Sequence, residues 1–152
     1  MALRTVILWV HVLCGVVWIG ASAGVALAAA VLSSEPEESN KFATRSIPRI
    51  NRVCVAVASL IPLTGIANLS FVVQARHGVL PEEFSAILGA KVALYAAMGL
   101  ALWAAWRTGT PGGLAAADLQ VKPNLRRLIT LYATIVILGA VALGLGLWLS
   151  GT

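Results

Sequence analysis

An all-helical membrane protein built on four spans is the fold class this sequence predicts, and three observations carry that reading. Of 152 residues, 59% are apolar and 11% charged, against roughly a quarter charged in an ordinary soluble domain. The apolar residues gather into four runs, each at or above the ~20 residues that a helix needs to cross a hydrocarbon core. The breaks between the runs are short and leave nothing for a soluble domain, so residues 1–152 read as a single transmembrane domain.

The first span covers 5–32 and is stopped by SSEPEES; the second covers 47–73 and is stopped by QARHG. The third covers 81–106, where LPEEF sets Pro81 at a first helical position with acids in the first turn, and RTGTPGG closes it. The fourth covers 125–149 behind KPNLRR. Arg4, an apolar stretch and Ala21-Ser22-Ala23 imitate a signal peptide with its cleavage site. The apolar run continues to Leu32, so a retained helix is expected.

Four spans put both termini on one side of the membrane. Arg4 and Arg76 lie on that side, and Lys41, Arg45, Arg49, Arg52, Arg107, Lys122, Arg126 and Arg127 on the other. Eight against two predicts cytoplasmic 1–2 and 3–4 loops and non-cytoplasmic termini. The short connections make an up-down-up-down bundle the expected packing, helped by small-residue stripes such as Gly20 with Gly24. The halves carry no internal repeat, so a transporter of inverted repeats is not indicated.

The net charge of +5 does not form a solvated basic face, and no nucleic-acid partner is expected. Cys14 and Cys54 sit in apolar stretches and imply no disulfide. Beyond the first turn of the third span no Asp or Glu lies within a span, which removes the usual carboxylate relay of a proton pump. No Ser-His-Asp set, HExxH, CxxC or phosphate loop is present.

An ionisable residue inside a span costs at least ~2.5 kcal/mol and points to function. His11 lies ~14 Å into the first helix and Lys91 ~15 Å into the third. Both helices run in one direction, so the two side chains are expected at one depth in the outer half of the membrane. His11, Gly15, Trp18 and Ser22 line one face, as do Lys91, Tyr95 and Met98. Gly15 would leave room for a flat body against the backbone. The second helix adds Thr64, Gly65 and Asn68 beyond a kink at Pro62, with Asn68 expected near the depth of His11, and the fourth adds Gly139, Gly144 and Gly146. Plainer roles stand beside these: an interhelical hydrogen bond for His11, snorkelling for Lys91, helix packing for the glycines. Asn68-Leu69-Ser70 matches a glycosylation acceptor but lies within a span, and Arg76 and His77 fall in an outer loop.

These residues resemble a known superfamily. HVLCGVVWIG, with His11, Trp18 and Gly20, looks like the opening helix of the copper-resistance D (CopD) family and of the related HemJ-type membrane protoporphyrinogen oxidases. RINRVCVAVASLIPLTGIANL is similar to CopD in Arg49, Arg52 and the Thr64-Gly65 pair; ILGAKVALYAAMGLAL places Lys91 where both families carry a lysine; LRRLITLYATIVILGAVALGL resembles the last CopD helix. The resemblance covers nearly the whole chain. It implies a bacterial inner (plasma) membrane protein and, on the HemJ branch, b-type haem held by His11 and Lys91, which would make them the metal ligands; on the CopD branch it implies copper uptake. Both branches tend to carry an acid early in the last helix, whereas the residues after Arg127 read LITLYAT, which departs from a proton-coupled porphyrin oxidase.

Three functions follow as expectations. In the first, a haem b protein serves electron transfer or a redox accessory role: His11 is an axial ligand, Lys91 binds the other face as a neutral amine or pairs the propionates with Arg76, and Gly15, Trp18, Asn68 and Tyr95 wall the ring. In the second, copper is handled by a soft pair of His11 and Cys14, although Met1 and Met98 are too few for a methionine ladder. In the third, the chain is a structural subunit of a larger membrane complex. Besides the lipid bilayer, the expected partners are a membrane redox partner or such a complex, and a homodimer.

Overall fold

The computed structural model describes residues 2–109 and 125–151, and among these every regular element is helical. Helix α1 (Ala2–Val31) runs through a 3-10 turn (Leu32–Ser34) into α2 (Pro36–Lys41), which continues through a π turn (Phe42–Ser46) into α3 (Ile47–Ala75). Helix α4 (Glu82–Gly109) and α5 (Leu125–Gly151) complete the chain. Four helical stretches are long and apolar enough to cross a membrane: Ala2–Ser34, Pro36–Ala75, Glu82–Thr108 and Leu125–Gly146. Lys122 and most of the 3–4 connection lie outside the described residues.

The connection between the first two spans differs from the open break expected at SSEPEES. Pro36 opens α2, Glu37 and Glu38 occupy its first turn, and Lys41 in its last turn reaches both carboxylates at 2.8 and 2.9 Å. The two acids raise the Lys41 ammonium above its ordinary pKa. At α4, Pro81 stands one residue before the helix rather than inside it, its carbonyl accepting the Ser85 N–H at 3.1 Å. Helix α3 ends in a Schellman turn: Gly78 N–H donates to Val73 O at 2.9 Å and His77 N–H to Gln74 O at 3.3 Å. His77 and Gly78 both take positive φ, 51° and 85°, and only glycine adopts such a conformation without steric cost.

Helix α1 packs between α3 and α5, α4 packs on α5, and α3 meets α4 only sparingly. The four spans therefore form a ring of sequential neighbours with one loose seam, between α3 and α4. The core is confined to one half. Trp18, Val25 and Ala29 interlock there with Ile47, Cys54 and Ala58 from α3, Leu102 and Ala105 from α4, and Leu128, Tyr132 and Ile135 from α5. Tyr132 donates its hydroxyl to Asn51 Oδ1, tying α5 to α3 with both groups buried. Towards the end that carries the chain termini, burial stops at Cys14, Ala58, Met98 and Gly139, and none of residues 2–13, 59–75, 82–97 and 140–146 is buried.

Gly139 is the tightest approach in this packing. A Cβ there would stand 2.5 Å from Ile19 Cγ1 and 3.2 Å from Met98 Cε, so α1, α4 and α5 converge on its bare backbone. Gly20 and Gly24 play no such part: both are exposed with nothing within 4 Å. The stripe expected to pack helices together faces away from the core, because Trp18, Ser22, Val25 and Ala29 set the inward direction of α1.

Candidate functional site

The buried stripe of α1 passes through Cys14, Trp18 and Ser22, and His11 extends it into the loosely packed terminal half. The His11 ring turns to α3, with Nδ1 at 3.1 Å from Ile61 O and 2.8 Å from Thr64 Oγ1. A carbonyl oxygen only accepts, and the Thr64 hydroxyl already donates to Leu60 O at 2.8 Å. The Ile61 contact in particular is satisfied only by a proton on Nδ1, the tautomer that leaves the lone pair to Nε2. Gly65 makes the ring position possible, since a Cβ at that residue would stand 3.3 Å from His11 Cε1.

Pro62 shapes the next layer. Having no N–H, it leaves the carbonyl of Ala58 without its helical donor. Tyr95 supplies the missing hydrogen, its hydroxyl lying 3.0 Å from Ala58 O. The same Tyr95 ring meets Trp18 edge to face, with centroids 5.8 Å apart and planes at 74°. This pair joins two helices that are diagonal in the ring and forms a floor between the packed half and the terminal half.

Lys91, one turn beyond Tyr95 on α4, is half-buried. Its Nζ fits against α5 at Gly146, where a Cβ would stand 3.0 Å away. Gly139 fixes the relative depth of the two basic groups by touching Ile19 and Met98 at once. His11 lies eight residues, or ~12 Å, beyond Ile19, and Lys91 seven residues, or ~11 Å, beyond Met98. Counted along their helices, His11 and Lys91 therefore differ by about one residue's rise in backbone level.

The other candidate residues divide. Gly15 is half-buried with open space where a Cβ would be. Asn68 lies one turn beyond Thr64 on α3, and its Nδ2 is buried without a hydrogen-bond partner, as are Trp18 Nε1 and Ser22 Oγ. Arg76 is not brought to the site: it is exposed at the end of α3, twelve residues or ~18 Å past Thr64. Gly144 is exposed, and so is His77. Cys14 is a buried free thiol, and no group of three His, Cys, Asp or Glu that could hold a metal ion occurs among the described residues.

Two features escape a reading of the sequence. The Tyr132–Asn51 pair lies in the packed half, its only signal being a polar residue beside Arg52 in an otherwise apolar run. The Ile61 carbonyl as a partner of His11 has no signal at all, since every residue carries one. No family model, curated protein or solved structure matches the chain, so the CopD- and HemJ-type resemblance rests on the short motifs that carry it.

Proposed function

We propose that the chain is an integral membrane b-type haem protein with an electron-transfer or redox accessory role. The observation that carries this reading is the pair of contacts that His11 Nδ1 makes with Ile61 O and Thr64 Oγ1, which favours a proton on Nδ1 and leaves the lone pair to Nε2. Ligating histidines are held in this way, one ring nitrogen donating to the protein and the other free for the metal. Bound haem would supply one-electron chemistry between ferric and ferrous iron.

The residues present suit that group better than a bare ion. A porphyrin brings four nitrogens of its own and asks the protein for one or two axial ligands, whereas copper needs its whole ligand set from side chains. His11 with Cys14 gathers no third His, Cys, Asp or Glu among the described residues. His11 would hold the iron. Lys91 would either help to hold the iron as a neutral amine or pair the anionic groups of the haem. The Trp18–Tyr95 pair would floor the site, Gly15 leaves clearance on α1, and the unpartnered Asn68 amide offers a donor.

The charge distribution supports non-cytoplasmic termini in this same proposal, with the His11–Lys91 level in the outer half of a bacterial inner membrane. The absence of an acid after Arg127 in α5 argues for electron transfer without proton-coupled turnover of a porphyrin substrate. A reduced-minus-oxidised optical spectrum of the purified protein tests the reading: a Soret band with sharp reduced α and β bands is the expected result. A copper signal without a Soret band would favour the copper-handling function, and a colourless, metal-free protein from haem-sufficient cells would favour a structural subunit.

A further inference from the structure

Three arginines at the end of the bundle away from the termini stand apart from the haem reading. Arg45, Arg49 and Arg52 follow i, i+4, i+7 and share one stripe of α3 and of the π turn before it. All three are exposed, and the buried residues Ile47, Asn51, Cys54 and Ala58 define the opposite side of the helix. No acid pairs with them among the described residues; the nearby Glu37 and Glu38 are taken by Lys41.

Their height in the bundle follows from the packing of α1 on α3. His11 lies level with Thr64, so counting along the antiparallel pair brings Arg52 level with Ala23, eight residues or ~12 Å short of the end of α1 at Val31. From Arg52 to Arg45 the stripe climbs ~10 Å, somewhat more than the ~5–8 Å of headgroup layer on each side of a bilayer. The stripe thus runs from Arg52, well beneath the end of its neighbouring helix, up to Arg45, level with that end. A guanidinium presents a planar fork that matches a phosphate's oxygens, which a lysine does not.

We propose that Arg45, Arg49 and Arg52 form a ladder that binds anionic phospholipid through its phosphodiester, with the acyl chains lying below it, along the apolar run of α3 that follows Arg52. The ladder does not depend on haem. Juxtamembrane cations contribute about five-fold in affinity each, so losing all three costs on the order of 100-fold.

The test uses the full chain in a neutral detergent, with lipid binding read by native mass spectrometry and thermal melting. Phosphatidylglycerol is expected to bind and raise the melting temperature, and phosphatidylcholine is not. R45Q/R49Q/R52Q is expected to lose most of the phosphatidylglycerol bound, while R107Q/R126Q, which removes the same kind of charge from other helices, keeps it. R49K preserves charge and fold and is expected to lose a few-fold through its missing fork. The proposal is overturned if R45Q/R49Q/R52Q and R49K both bind as wild type, if R107Q/R126Q loses as much, if phosphatidylcholine binds equally, or if inorganic phosphate alone reproduces the stabilisation.

Discussion

Tyr95 donates its hydroxyl to the carbonyl of Ala58 at 3.0 Å, and Ala58 is the residue whose helical donor Pro62 removes. A proline in α3 is thus repaired by a tyrosine from α4, across the one loose seam of the bundle. Tyr95→Phe strands that carbonyl in an apolar setting and is expected to cost about 1 kcal/mol of stability. In a Pro62→Ala background the backbone N–H returns, and the same substitution is expected to cost almost nothing. Unfolding of the four variants in mixed micelles measures the coupling; equal costs in both backgrounds would contradict the pairing.

Gly139 carries a second expectation. A methyl group there overlaps Ile19, which lies 2.5 Å from the Cβ position, so Gly139→Ala is expected to destabilise the bundle by about 1–3 kcal/mol. Ile19→Ala opens the same space from the other side. The double variant is expected to recover much of the loss, and thermal melting that shows strictly additive losses would sink this account of the contact.

The four spans were legible because a bilayer imposes a length and an apolar composition that few other structures share. The inward face of α1 was legible too, since His11, Trp18 and Ser22 keep helical spacing. The role of each glycine was not. Gly20 and Gly24 look like a packing stripe and face open space, whereas Gly65 accommodates the His11 ring and Gly146 the Lys91 side chain. What a glycine makes room for depends on the residue across the interface, and local sequence does not carry that. Helix α2 had a readable start in Pro36, Glu37 and Glu38, the same pattern that marks α4, but its polar composition reads as a loop.

The tautomer of His11 can be read directly. In haem-free protein with labelled histidine, nitrogen NMR is expected to show a protonated Nδ1 and a pyridine-type Nε2, because Ile61 O only accepts. Thr64→Val removes one of the two acceptors and is expected to weaken haem retention several-fold while leaving this tautomer in place through Ile61. A proton found on Nε2 in the wild type would remove the main support for ligation.

Gly146→Val is expected to displace the Lys91 ammonium, which stands 3.0 Å from the position of the new Cβ. In the haem-bound protein the visible spectrum or the reduction potential shifts, with the bundle still folded. An unchanged spectrum and potential in both Gly146→Val and Lys91→Ala would detach Lys91 from the site.

The most direct measurement is the haem-to-protein ratio of wild type, His11→Ala and His77→Ala, purified side by side from haem-sufficient cells. Wild type and His77→Ala are expected to carry haem near stoichiometrically, and His11→Ala to lose most of it, because His11 reaches into the bundle while His77 sits exposed in the turn after α3. Full occupancy with an unchanged spectrum in His11→Ala, or a colourless wild type, would contradict the account.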